Sequence, residues 1–322
     1  MQPIQDILGE GFFQQDLGPF DIDGQACVAT LVFKMCPTAS RKAVLYLHGY
    51  VDYFFQAHLA DRFVAAGYNF YALDLHRCGR SLREGQIPHF CRDVAEYGAE
   101  MTAALQVIRQ THGNTVVIGN FHSTGGPIGL LYAQDHAAGQ PFDALILNSP
   151  FLDFNDSWIA ETVLIKVIAS LGQFFPEQAL PGGLSPVYGQ SVHRAFHGEW
   201  DFDLAWKPVE GFPTRAGWIR AIHLAHRRIQ AGLTLGCPIL CLFSSASSRP
   251  KTFEEIAWRT DTVLDVKDIE RYSSTLGSKV TQHMISRGMH DLVLSQEPVR
   301  SEVFAAMFAW LDATEADAAW PA

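Results

Sequence analysis

Short, nearly continuous apolar runs recur along this chain, with room for a helix between one and the next. The clearest are residues 43–47, 69–73, 115–118, 144–147 and 238–243, and the last is 279–285. Such runs predict strands covered on both faces, as in a parallel sheet. Helix-like segments fall between them at 54–66, 93–110 and 126–137, and a final one at 298–313 opens on Pro298, which suits a first turn. Upstream, 11–16 and 26–33 alternate enough to predict an antiparallel pair at one sheet edge. The alternation of strand and helix predicts an α/β fold, a mostly parallel, doubly wound sheet of about eight strands.

The rhythm stops after Pro150 and resumes at Pro238. The block between is helix-like and rich in aromatics, with Trp158, Phe174, Phe175, Trp200, Trp206 and Trp218, and it is broken at Pro176, Pro181, Pro208 and Pro213. Inserted after the sixth strand, it reads as a helical cap over the carboxyl edge of the sheet, its aromatics mostly packing it onto the core. The expected organisation is a core from 1–150 and 237–313, a cap at 151–236 and a frayed tail at 314–322.

Composition narrows the function. The 322 residues are 48% hydrophobic and 18% charged, and the net charge of −10 comes with no block of Lys or Arg. That disfavours a nucleic-acid surface, which needs clustered basic residues. The six cysteines form no CxxC pair and have no zinc-finger histidines, so they read as small hydrophobes. No secretory signal and no apolar run of membrane-spanning length is visible, and a cytoplasmic protein without an integral membrane segment is the expectation.

The chemistry lies at the ends of the predicted strands. The run 115–118 breaks into Asn120-Phe121-His122-Ser123-Thr124-Gly125-Gly126 before an apolar helix, which is how a nucleophilic serine is presented at a tight strand-to-helix turn. A serine hydroxyl is a weak nucleophile and needs a base, and the base needs an acid to orient it. His290, a few residues after the last strand, fits the base. After the 238–243 strand a long polar loop offers Asp261 and Asp265 as the acid. Asp261 is favoured, because the residues after it read as a turn into a helix that Asp265 caps; Asp265 is the second choice. An oxyanion hole needs two backbone N–H groups, here those of Thr124 and of Tyr50, in the His48-Gly49-Tyr50-Val51-Asp52 loop. Each signal is weak alone, and their order along the chain gives them force. Phe121 is the departure, since the turn favours small residues two before and two after the serine. Either the helix stands off from the strand, or the ring enters space vacated by a smaller neighbour.

The chain resembles the α/β-hydrolase superfamily, in particular the branch with monoacylglycerol lipase-like enzymes and serine aminopeptidase S33 proteins. The resemblance runs from Val44 to about Leu311 and rests on Leu47-His48-Gly49, Asp74 to Ser81, His122 to Gly126 and Gly288-Met289-His290-Asp291. It implies a carboxylesterase or monoacylglycerol-type lipase acting on a small ester, with an apolar group that the aromatic cap would suit. A peptidase or amidase would use the same three residues, and a non-catalytic binding protein on this fold is the alternative from another class. A serine at the turn disfavours dehalogenase and epoxide hydrolase chemistry, which on this fold use aspartate there. No cofactor is expected, since neither G-x-G-x-x-G nor a P-loop is present. No metal is expected either: His193 and His197, and likewise His223 and His226, lack an accompanying carboxylate motif.

Overall fold

The computed structural model describes residues 2–154, 159–181, 184–318 and 320, and Trp158 lies outside them. In chain order the strands are β1 (Ile4–Gln5), β2 (Phe12–Ile22), β3 (Gln25–Lys34), β4 (Lys42–Leu47), β5 (Asn69–Asp74), β6 (Val116–His122), β7 (Ala144–Asn148), β8 (Ile239–Ser244) and β9 (Val280–Ile285). The helices are α1 (Ala57–Ala65), α2 (Gly98–Gln106), α3 (Gly125–Asp135), α4 (Ile159–Phe174), α5 (Pro186–Val192), α6 (Ala216–Gln230), α7 (Val266–Ser273) and α8 (Val299–Ala318).

The strands form one sheet in the order β1-β2-β3-β5-β4-β6-β7-β8-β9. The β1–β2, β2–β3 and β3–β5 pairs are antiparallel, and every later pair is parallel. The strand beyond the expected eight is β1, a two-residue edge too short to leave a periodic pattern.

Strand alternation divides the core between two faces. From β4, Leu45 and Leu47 pack with Met101 of α2, Leu130 of α3 and Ile269 of α7. Val44 and Tyr46 point the other way, toward Phe63 of α1 and Met307 of α8. Both faces are covered from β4 to β8, so those strands are largely apolar, whereas the outer β2 and β9 carry exposed polar residues.

Strand β2 runs on to Ile22 where 16 was expected, and α2 starts at Gly98 where 93 was expected. Two further helix boundaries differ for a visible reason. Helix α1 starts three residues later than 54, because Phe54 is buried and its N–H is held by the Asp74 carboxylate at 2.9 Å. Helix α8 continues to Ala318, past the tail expected from 314. Glu315 on that added turn pairs with Lys42 at 3.0 Å and accepts from the Tyr68 hydroxyl.

The stretch between β7 and β8 carries α4, α5 and α6, and its described residues contribute no strand to the sheet. It meets the core through α6, which packs with α3, and at the loop after β4. Tyr50 stacks on Trp218 at 3.8 Å, the Asp203 N–H donates to the Tyr53 hydroxyl at 2.7 Å, and Phe55 lies 4.9 Å from Phe202.

Candidate active site

The carboxyl ends of β4, β6, β8 and β9 deliver the site. Ser123 follows β6 directly with φ of 50°, a left-handed conformation that a non-glycine residue adopts only when its surroundings enforce it. Its N–H is held by the Asn148 carbonyl at the end of β7 (3.1 Å), and its carbonyl accepts from Gly126 (2.9 Å) and Phe151 (3.0 Å). The turn is thereby fixed, and α3 begins two residues later. Gly125 is required by close approach: a Cβ there would lie 2.7 Å from the Leu47 carbonyl oxygen.

Phe121 resolves by the second of the two expected routes. Its ring is fully buried, and a Cβ at Gly129 of α3 would lie 2.2 Å from it, one at Gly119 of β6 2.4 Å from it. Two glycines make the space, and Phe142 closes it edge-on at 5.3 Å.

Ser123, His290 and Asp261 form one buried hydrogen-bonded chain. Ser123 Oγ lies 3.0 Å from His290 Nε2, and His290 Nδ1 lies 2.9 Å from Asp261 Oδ2. An ionised carboxylate only accepts, so Nδ1 carries the proton and Nε2 is left to accept from the serine hydroxyl. The second Asp261 oxygen accepts from the Val263 and Leu264 amides, both at 2.8 Å. Asp261 is far along the loop from β8, but its backbone is stitched back to the strand end: its N–H donates to the Ala246 carbonyl at 2.9 Å, and its carbonyl accepts from Ser248 at 3.0 Å. Asp265 is turned to another task, accepting the Lys267 amide at 3.0 Å as the N-cap of α7.

The loop after β4 lies against the serine; a Cβ on Gly49 would sit 3.0 Å from Ser123 Cβ. His48 sets the peptide that follows. The Leu75 N–H donates to its Nε2 at 3.2 Å, so Nδ1 carries the proton and donates to the Gly49 carbonyl at 2.8 Å. In a trans peptide N–H and C=O oppose each other, so the Tyr50 N–H points away from His48. Among the described residues neither the Tyr50 nor the Thr124 amide has a hydrogen-bond acceptor.

A cavity of about 370 Å³ opens on Ser123 and His290. Phe151, Phe154, Leu184, Val209, Trp218 and Val263 give it apolar walls. One wall is charged: Lys207 Nζ, from the segment between β7 and β8, donates to Asp52 Oδ1 at 2.6 Å, with both side chains buried. Burial alone raises the Asp52 pKa, but Lys207, with His122 and His48, outweighs it and holds the group below its usual value. Burial lowers the pKa of His122, whose ring lies 5.0 Å from that of His290.

Sequence reasoning missed the Lys207–Asp52 pair. Asp52 stands in the expected loop, but an ion pair across 155 positions leaves no local pattern. It also missed the brace under His290, where Asp291 accepts from Asn148 Nδ2 (2.7 Å) and Gln56 Nε2 (3.1 Å). Of the histidines weighed as metal ligands, His193 accepts the Ala195 N–H and faces the Phe202 carbonyl, His197 stacks on Phe253 at 3.7 Å, and His226 faces the Phe151 carbonyl. Among the described residues no group of three His, Cys, Asp or Glu could hold a metal ion, and no helix is long and apolar enough to cross a membrane.

The sheet order and the serine turn define an α/β-hydrolase fold. The chain belongs to the Hydrolase_4 family, serine aminopeptidase S33, whose model matches residues 38–247. It is 31% identical over 140 residues to a monoacylglycerol lipase of Mycolicibacterium smegmatis. That match covers 43% of this chain and 48% of the relative, so about half the length of the curated protein is spanned. A soluble variant of monoglyceride lipase from Saccharomyces cerevisiae has a similar structure, with a TM-score of 0.68 at 18% identity over 93% of this chain and 94% of that one. A thermostable carboxyl esterase from Bacillus coagulans matches with a TM-score of 0.62 at 14% identity over 95% and 99%. At these identities the two structures speak for the fold.

Proposed function

We propose that the protein is a serine hydrolase of carboxylic esters, of the carboxylesterase or monoacylglycerol lipase type. The observation that carries this reading is the buried chain from Ser123 through His290 to Asp261 at the mouth of an apolar cavity. His290 Nε2 takes the Ser123 proton as Oγ attacks the ester carbonyl, and Asp261 holds the imidazole in the required tautomer and balances its charge. The Tyr50 and Thr124 amides, unspent in the fold, receive the developing oxyanion. Collapse expels the alcohol, which takes its proton from His290. Water activated by the same histidine then releases the acid and restores Ser123.

The segment 151–236 acts as a cap, and its apolar wall receives the acyl or alcohol part of the ester. The bacterial monoacylglycerol lipase relative supports a monoester of this kind. The family description favours a second reading, an aminopeptidase, which would need an anionic group to hold a substrate ammonium. The one carboxylate among the described residues lining the cavity, Asp52, is already paired with Lys207. The ester reading is therefore preferred.

A panel of p-nitrophenyl esters of graded chain length and monoacylglycerols, run beside aminoacyl amides, tests the choice. Turnover of esters with little on the amides is expected. Faster turnover of the amides would move the assignment to peptidase.

A further inference from the structure

The loop that presents Tyr50 is strained. Val51 has φ of 50°, a left-handed conformation in which a β-branched residue is an outlier. Such a residue persists only where its surroundings over-determine it. On the core side the loop is held through the His48–Gly49 hydrogen bond. The residues flanking Val51 are held from the other side, by the segment between β7 and β8. Tyr50 stacks on Trp218, and its hydroxyl reaches Thr214 Oγ1 at 3.5 Å. Asp52 is gripped by Lys207, and Tyr53 is held by the Asp203 amide and packs edge-on against Trp206 at 5.1 Å. Residues 50, 52 and 53 thus each carry a contact to the cap, and the strained residue sits among them.

We infer that the cap assembles the oxyanion hole: Lys207 and Trp218 are positioning residues that clamp the strained Tyr50–Asp52 loop, so that the Tyr50 amide is aimed at the reacting carbonyl only while the cap is docked. This rests on the serine-hydrolase reading for its catalytic consequence, but not for its conformational content. The arrangement couples substrate enclosure to transition-state stabilisation, since the element that closes the cavity also sets one oxyanion donor. A Lys207 that acted by contacting substrate would instead be expressed in binding.

The test compares the full-length wild type with Lys207→Met, Lys207→Arg and Asp52→Asn/Lys207→Met, the last removing both charges so that none is left buried alone. On the best p-nitrophenyl ester, Lys207→Met is expected to lower kcat about 10- to 100-fold with KM within about threefold, the range for a misaimed oxyanion donor. Lys207→Arg, which keeps the ion pair, recovers most of that loss. In a Val51→Gly background, where the left-handed conformation carries no strain, Lys207→Met costs less than it does in the wild type. Crystal structures of Lys207→Met and of the double variant are expected to show residue 51 relaxed to negative φ and the Gly49–Tyr50 peptide turned. A loop unmoved in both, or a loss confined to KM that Val51→Gly does not soften, overturns the inference. A wild type that neither hydrolyses esters nor labels at Ser123, with a loop that still relaxes in the variants, sinks the hydrolase reading and leaves the clamp standing.

Discussion

Asp261 and Asp265 stand four positions apart in one polar loop, and their environments divide them. Asp261 is fully buried, with one oxygen on His290 and the other on two backbone amides, whereas Asp265 caps α7. Asp261→Asn should lower ester turnover by about 10³- to 10⁴-fold, because the amide favours the wrong imidazole tautomer. Asp265→Asn should leave turnover near wild type, since asparagine caps a helix about as well as aspartate. Steady-state kinetics on the two variants checks this, and the reverse order would move the acid to Asp265. Ser123 was legible in the sequence because its turn depends on adjacent residues. The choice of acid was only half legible, because it turns on the backbone pairing of Asp261 with Ala246 and Ser248, which no side-chain pattern announces. The Lys207–Asp52 pair was not legible at all, since the sequence does not say which charges become buried.

Between β6 and α3 the packing depends on a trade of volume. Phe121 fills space that Gly119 and Gly129 leave open, so the large residue and the two small ones form one unit. Gly129→Ala should therefore destabilise the fold by about 1–3 kcal/mol through overpacking, and Phe121→Ala by about 3–5 kcal/mol through the cavity it leaves. Combined, they should cost clearly less than the sum, because the new methyl enters the vacated space. Urea unfolding of the three variants measures the coupling; strict additivity would mean that the ring and Gly129 do not compete. Phe121→Ala should also keep most of its ester turnover, because the ring points away from Ser123 and into the core. At this scale the sequence reads well where burial is continuous, as in β4 to β8. It reads poorly where an element is two residues long, as β1 is, or where a helix start depends on a distant carboxylate, as α1 does.

For the whole molecule, the buried histidines set an acid limit. Burial pushes the pKa values of His89 and His226 down to about 3, against about 6.5 in an unfolded chain. Between those values the unfolded state binds protons that the folded state refuses. Stability is then complete above about pH 6.5 and falls as pH drops toward 3, by on the order of 1 kcal/mol per pH unit for each histidine. The melting temperature should fall from pH 7 to pH 5, and His226→Gln should flatten that slope. An unchanged slope would mean that His226 is protonated in the folded protein. The same closure of the molecule brings four strand ends and the inserted segment around one serine, on which the proposed chemistry depends. Treatment of the folded protein with a fluorophosphonate probe, read by intact mass and peptide mapping, tests it most directly. One equivalent on Ser123, absent in Ser123→Ala, is the predicted result. A folded wild type that takes up no label, or a Ser123→Ala variant labelled equally well, would contradict it.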